Sequence, residues 1–374
     1  MKRKRKARKR PSPEPFPILS LPEDLVLNCL ARVSRLYHPV LSLVSKSFRS
    51  LISSPKLYVT RSLLGLTESC LYVCLRPYPN SNPCWFTLCR KPNNRYHLVP
   101  IAISPPRSPQ TSHCLAVVAV GSDIYSIGSN KKEKSSGEEE EAAVSILDCT
   151  SNTWREAPSV CLESYYPAAI VCYEGIYVIR VYSASDWTLV TDPIIQTWEH
   201  VLYPFDYYIS KRATIEGKSY VFGQNGAAYN SKEDRIEATG LLHYLNLQQE
   251  RNSYVVIDNV LYRDCESLGI QWYDSKGEYW KYVKGIHGLP SYYGLGCFRF
   301  VDYGGKMVVL WDDLLCYEMS PPSPCRDGEI FCAVIALERR NNEEIWGHFE
   351  WSGVVLTVSP PHSYQFVYAL ASTV

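Results

Sequence analysis

Fourteen cysteines and eight histidines are the residues with which this chain could hold a metal ion or mount a nucleophilic attack. Their spacing argues against both. No two cysteines are separated by a pair of residues, the spacing that brings two thiolates onto one zinc ion. The closest pairs are Cys70 with Cys74 and Cys84 with Cys89. On an extended strand Cys70 and Cys74 would share a face but stand ~13 Å apart, at ~3.3 Å per residue, too far to grip one ion. The thiols therefore read as reduced and mostly buried, in a nuclear or cytosolic protein. The histidines at 38, 97, 113, 200, 243, 287, 348 and 362 are scattered singly, and each reads as a surface or loop residue. Gly217-Lys218-Ser219 imitates the end of a phosphate-binding loop, but Arg212 stands where the leading glycine belongs. No Gly-x-Ser-x-Gly elbow occurs. The expectation is a protein with no metal, no cofactor and no catalytic constellation, so function has to be sought in binding.

Charge points the same way. The formal net charge is +1, which gives no overall case for nucleic acid. The distribution is uneven: Lys2, Arg3, Lys4, Arg5, Lys6, Arg8, Lys9 and Arg10 fall within the first ten residues, and the remainder is mildly acidic. Residues 1–15 read as a disordered basic tail, serving either as a nuclear localisation signal or as a solubilising segment with weak affinity for anions. No apolar run approaches the ~20 residues that span a bilayer, so no membrane partner is expected.

The elements change character along the chain. Over residues 16–65 apolar residues recur at helical spacing. Pro22 suits a first turn, and Glu23 and Asp24 complement its exposed amides. Leu25, Cys29 and Val33 fall on one face, with Val26 and Leu30 beside it. A second helix is expected from Pro39 through Val40, Leu43 and Val44. A turn over Ser45–Ser47 precedes Phe48, Leu51 and Ile52. Ser54-Pro55 then supplies a cap and a first-turn proline for a helix reaching Leu63 and Leu64. Three such short helices bury too little to stand alone and need a partner or the following domain.

From residue 70 to 374 the pattern is strands and turns, and it repeats. A turn followed by an apolar strand recurs around Tyr125, Tyr177, Tyr220, Tyr262 and Met307, at intervals of 52, 43, 42 and 45 residues. The first interval is stretched by KKEKSSGEEEE (131–141), read as a solvated loop that includes the acidic run Glu138–Glu141. Three units also carry Asp, five residues, Trp: Asp148/Trp154, Asp192/Trp198 and Asp274/Trp280. The Asp is expected to close the turn between two outer strands, and the Trp to pack on the neighbouring unit. The third unit lacks this pair and has KEDRIEATGLLHYLN instead, which leaves its outer strands in question. Each unit has the length of a four-stranded sheet that cannot cover its own faces, so several must close on one another. Five units plus a composite sixth give six blades. In the composite, WFTLCRKPNNRYHLVPI (85–101) supplies two outer strands, and the C-terminal VVLTVS and YQFVYAL two inner ones.

The segment LPEDLVLNCLARVSRLYHPVLSLVSKSFRSLISSPKLYVTRSLLG resembles a plant F-box, with Leu21-Pro22, Asp24, Leu25, Arg32, Leu43, Val44, Ser45-Lys46, Phe48, Arg49 and Arg61 all fitting. The downstream units resemble degenerate kelch repeats that have lost their Gly-Gly pair; Gly128, Gly223 and a displaced Gly304-Gly305 remain. Together they resemble the plant F-box/kelch-repeat family. The resemblance implies a mainly β fold, a kelch-type β-propeller preceded by a small all-α F-box. It also implies a non-catalytic substrate receptor of a Skp–cullin–F-box ubiquitin ligase. Leu21, Pro22, Asp24, Leu25, Leu30, Val44, Ser45, Lys46, Phe48 and Arg49 would be contacts to the Skp-type adaptor or their support, and a target protein would bind the propeller. Tyrosine doublets recur ahead of the repeat landmarks, at Tyr165-Tyr166, Tyr207-Tyr208 and Tyr292-Tyr293. They serve either as rigid amphipathic anchors of a recognition face or as packing between blades. Arg180, Trp187, Arg263 and Trp311, near strand ends, are lesser candidates. Two other readings stay open: an F-box scaffold acting outside a ligase, and a galactose-oxidase-like enzyme, which would need a Tyr/His/Cys metal cluster on the axis.

Overall fold

The computed structural model of the chain describes residues 21–374, apart from 79–82, 92, 94, 102–114, 129–139, 163–166, 173–174, 181–186, 192–197, 203–208, 216–217, 224–226, 231–234, 239–253, 266–268, 275, 278, 288, 290–297, 313–327, 342 and 359–362. The N-terminal part is helical: α1 (Glu23–Ala31), a short 3-10 turn (Arg35–Tyr37), α2 (His38–Leu41), α3 (Lys46–Ile52) and α4 (Pro55–Leu63). Their boundaries follow from local chemistry. Pro22 stands just outside α1 with extended backbone, and Glu23 and Asp24 fill the first turn. The Ser45 hydroxyl accepts from the Phe48 amide at 3.0 Å and the Ser54 hydroxyl from the Lys56 amide at 3.3 Å, each capping its helix. The expected second helix is cut to one turn, with Leu43 and Val44 in the turn beyond it. Lys46 and Ser47, expected in a turn, begin α3.

The expected buried face of α1 is corrected. Val26, Leu27, Leu30 and Ala31 are buried, whereas Leu25 is 53% exposed and Cys29 is also exposed. The helix is apolar on two sides, and packing against α4 selects the one bearing Leu27 and Ala31.

The rest of the described chain is β. Six antiparallel sheets have four strands each. The first has the order β24-β1-β2-β3, with β1 Ser69–Tyr78, β2 Cys84–Arg90, β3 Tyr96–Pro100 and β24 Ser363–Thr373. The other five run in chain order. They are β4 (Leu115–Val120), β5 (Asp123–Gly128), β6 (Glu140–Asp148) and β7 (Thr153–Leu162); then β8 (Pro167–Cys172), β9 (Gly175–Arg180), β10 (Trp187–Thr191) and β11 (Trp198–Leu202). The fourth comprises β12 (Ile209–Ile215), β13 (Lys218–Gly223), β14 (Ala227–Asn230) and β15 (Arg235–Ala238). The fifth has β16 (Tyr254–Ile257), β17 (Val260–Cys265), β18 (Gly269–Asp274) and β19 (Tyr279–Tyr282). The sixth has β20 (Arg299–Asp302), β21 (Met307–Asp312), β22 (Gly328–Arg340) and β23 (Glu344–Val358). Contacts between the leading strands run from β24 to β4, β4 to β8, β8 to β12, β12 to β16, β16 to β20, and β20 back to β24.

All five repeated turn-strand segments are second strands of their sheets: β5, β9, β13, β17 and β21. The third unit also forms its two outer strands, although each has only four residues. Glu140 and Glu141, read as loop, open β6 opposite Leu162 and Cys161. The closing sheet differs from expectation. Residues 85–101 do supply β2 and β3, and YQFVYAL lies in β24, but VVLTVS falls largely in β23 of the sixth sheet. The missing strand is β1, directly after the helices. The C-terminus thus contributes one strand to this sheet, paired with β1 at ten positions.

Alternation on β1 shows how the sheets hold one another. Leu71, Val73 and Leu75 pack into a cluster with Val308 and Leu310 of β21. Cys70, Tyr72 and Cys74 point the other way, into a cluster with Ile124 of β5 and Leu147 of β6. The strand's two faces serve two neighbouring sheets, as a period of two allows.

Candidate functional site: the helices and their seat on the sheets

The helical module has its own small core. Val26, Leu27, Leu30, Ala31, Phe48, Leu51, Ile52 and Leu57 are buried together. With that core filled, large apolar side chains remain outside it: Leu21 is 40% exposed, Leu25 53%, Leu43 76% and Val44 65%. Val59 and Leu63 on α4 are exposed as well. A free-standing fold gains nothing from this exposure, whereas a surface that is covered by a partner does.

The ten residues assigned to adaptor binding divide into two sets. Leu21, Pro22, Asp24, Leu25, Val44, Lys46 and Arg49 are exposed. Leu30 and Phe48 are buried, and Ser45 caps α3. Arg49 donates through Nε to the Ser42 carbonyl at 3.3 Å, which ties α3 to the turn that carries Leu43 and Val44. Leu43, Val59 and Leu63 were not among the ten; their apolar character was visible, but not their exposure.

The module is seated at one end of the sheets. There the start of β1, the end of β24 and the β4–β5 turn come together: Glu68 bonds Val374, and the Thr373 amide donates to the Gly121 carbonyl at 3.3 Å. Arg35 reaches the third-to-fourth turn of the second sheet: Nη2 donates to the Cys149 carbonyl and lies 3.5 Å from both the Tyr72 hydroxyl and Asn152 Oδ1. Its guanidinium also covers the Tyr58 ring at 5.1 Å. Arg61, 1% exposed, donates to the carbonyls of Ala31 (2.8 Å), Val33 (2.8 Å) and Leu66 (2.6 Å) and pairs with Glu68 at 3.2 Å. Glu68 accepts from the Arg35 amide at 2.8 Å, and its backbone exchanges two hydrogen bonds with Val374. Both chain ends of the β region therefore meet beneath the helices. Sequence reasoning missed Arg35 and Glu68, whose partners are far away in the chain.

His38 corrects the expectation of surface histidines. It is 4% exposed, and burial together with Arg35 and Arg61 lowers its pKa to about 3, so the imidazole is neutral at pH 7. The neighbouring thiols are not poised as nucleophiles: burial pushes Cys89 and Cys149 up to about 12 and also raises Cys70. Among the described residues no group of three His, Cys, Asp or Glu side chains is placed to hold a metal ion. No described helix is long and apolar enough to cross a membrane.

The Asp-x5-Trp pairs behave as expected at the first unit. Asp148 accepts from the Thr150 amide at 2.8 Å and the Ser151 hydroxyl at 2.7 Å, closing the turn. Trp154 meets Trp85 of the first sheet edge-on at 5.7 Å. Trp198 donates to the Pro158 carbonyl of the preceding sheet at 3.1 Å. Trp280 differs: its ring partners, Tyr273 at 5.4 Å and Arg263 at 4.1 Å, belong to its own sheet. Among the lesser candidates, Trp311 is a buried residue stacked on Phe331. Arg263 is held by Gln271 at 2.9 Å. Arg180 and Trp187 lie in β9 and β10, with side chains outside the described residues. The three tyrosine doublets and the basic tail from Lys2 to Arg10 lie outside the described residues.

The family model described as F-box domain matches residues 18–60. The model described as FKB95, Kelch-repeats domain matches residues 85–356. The chain is 44% identical over 388 residues to the F-box/kelch-repeat protein At4g39550 of Arabidopsis thaliana, covering 96% of this chain and 94% of that relative. It is 42% identical over 386 residues to At4g39570 from the same plant, with coverage of 96% and 92%. It is 45% identical over 372 residues to At5g49000, also from Arabidopsis thaliana, with coverage of 96% and 94%. Both relatives carry the same description, F-box/kelch-repeat protein.

Proposed function

Because the chain belongs to the F-box/kelch-repeat family, we propose that it is the non-catalytic substrate receptor of a Skp–cullin–F-box ubiquitin ligase. The observation that carries this reading is the set of exposed apolar residues, Leu21, Leu25, Leu43 and Val44, on a module whose own core is already filled. The exposed members of the assigned set would touch the adaptor, while Leu30, Phe48 and Ser45 hold the helices in shape. The six sheets are read as the blades of a kelch-type propeller, supported by the cycle of contacts among their leading strands. The target protein would bind the propeller, with the tyrosine doublets Tyr165-Tyr166, Tyr207-Tyr208 and Tyr292-Tyr293 as candidate contacts. Such a receptor acts by holding its target near a ubiquitin-charged enzyme, which raises effective concentration and needs no catalytic group. The basic tail would direct it to the nucleus, with the cytoplasm as the alternative compartment.

The test is calorimetric titration of a purified Skp-family adaptor into the full-length chain and into Leu25→Glu/Val44→Glu. Both positions are exposed, so the fold should survive the charges, and far-ultraviolet circular dichroism checks this. Tight binding to the wild type that weakens at least ~100-fold in the double variant is expected, since each buried charge costs well over 1 kcal/mol. Absence of binding by the folded wild type across several adaptor paralogues would end the ligase reading.

A further inference from the structure

A cavity of about 200 Å³ lies between the helices and the sheets, lined by Arg35, His38, Arg49, Ser53, Glu68 and Asn152 among others. We propose that it binds a small molecule bearing an oxyanion group, phosphate or carboxylate, with the Arg35 guanidinium as its anchor.

Two buried arginines at this junction differ in one respect. Arg61 has a carboxylate partner, Glu68. Arg35 is 8% exposed, and its partners are the Cys149 carbonyl, a phenol and an amide, all neutral. Its other terminal nitrogen, Nη1, is buried without a hydrogen-bond partner. A buried cation is costly unless an anion or a full set of acceptors answers it. The acids nearby are already committed. Glu68 is shared among Arg61, the Arg35 amide and the Ser34 hydroxyl. Asp148 is engaged by Thr150 and Ser151. Arg49 adds a second cation to the lining. His38, lowered in pKa mainly by burial and further by Arg35 and Arg61, is neutral and brings no negative charge to the lining. An oxyanion in the cavity would supply the missing charge and acceptors, and would touch the helices and the sheets at once.

The experiment titrates inorganic phosphate, pyrophosphate and acetate separately into the full chain, in a chloride background, and follows binding by calorimetry. Two variants accompany the wild type. Arg35→Gln removes the anchor, and Ser53→Phe keeps every charge but fills space at the cavity wall. Tryptophan fluorescence and circular dichroism confirm that each is folded. The expected result is binding of at least one probe that weakens roughly ten-fold or more in both variants, the worth of one charge-assisted hydrogen bond or more. The probe that binds best identifies the oxyanion. No binding of any probe to the folded wild type would overturn the proposal. So would equal binding by all three proteins, which would assign it to the basic tail. Neither result depends on whether the chain binds a Skp adaptor.

Discussion

Replacing Arg61 with methionine should loosen the helical module while leaving the sheets intact. The guanidinium joins the end of α1, the segment after α4 and Glu68 through three carbonyls and one carboxylate. Methionine keeps much of the buried volume and removes all four links. Breaking a buried ion pair from one side costs about 3–5 kcal/mol. Glu68 is 34% exposed, so water recovers part of its charge, and the lower end, about 3 kcal/mol, is the figure to expect. At about 1.4 kcal/mol per decade, protection of the amides in α1 and α4 against hydrogen exchange should fall ~100-fold. The two regions can be followed independently. All nine tryptophans lie between Trp85 and Trp351, in the sheets, so the urea transition seen by their fluorescence should hardly move. An exchange change below ~5-fold would refute the assigned role of Arg61. A tryptophan transition that fell in parallel would refute the separation of helices from sheets and make the chain one cooperative unit.

Two further outcomes follow from the same junction. His38 is held neutral with its pKa lowered to about 3 from an unperturbed 6.5, so the unfolded module binds an additional proton below pH 6.5. Stability of the helices should be fully present above pH 6.5 and decline as pH falls from there toward 3. Helical melts by circular dichroism at pH 7.5, 6 and 5 would show this, and His38→Gln should flatten the slope. Deleting residues 363–374 removes β24, which pairs with β1 at ten positions and contacts β4 and β20. The tryptophan urea transition should become broad or vanish; a sharp transition at an unchanged midpoint would show that β24 is dispensable.

How far the fold was legible depended on whether its signal was local. The five second strands could be read because a polar turn and an apolar run lie side by side in the sequence. Asp148 and Trp154 could be read because a carboxylate that closes a turn must lie within a few residues of the amides it accepts. The third unit shows that this motif decorates the turn and does not create the strands, since β14 and β15 form without it. The closing sheet was misdivided for two physical reasons. The segment SCLYVCLRPY buries both faces of β1, so it lacks the half-polar alternation that marks a strand. In β23, Gly353 and a register shift opposite Ile330 and Phe331 interrupt a 15-residue strand, so its last part looked like a separate element.

The helices pose a different difficulty, and it bears on function. Arg35 gives no local signal because its carbonyl partner is 114 residues away. The apolar residues of α1 signal too much: Leu25 and Val26 are adjacent and both apolar, yet one is 53% exposed and the other 3%. Periodicity alone cannot separate them, since a helix with two apolar sides satisfies the 3.6-residue pattern through either. The buried side is chosen by what the same chain can bring to it, here α4 and the residues around Phe48 and Leu57. The other side keeps its hydrophobic character with no intramolecular cover among the described residues at Leu25, Leu43 or Val44. In a sequence of this kind, an excess of apolar positions over what one core can absorb is the trace that the proposed adaptor contact would leave. The structure is needed to say which residues make up the excess.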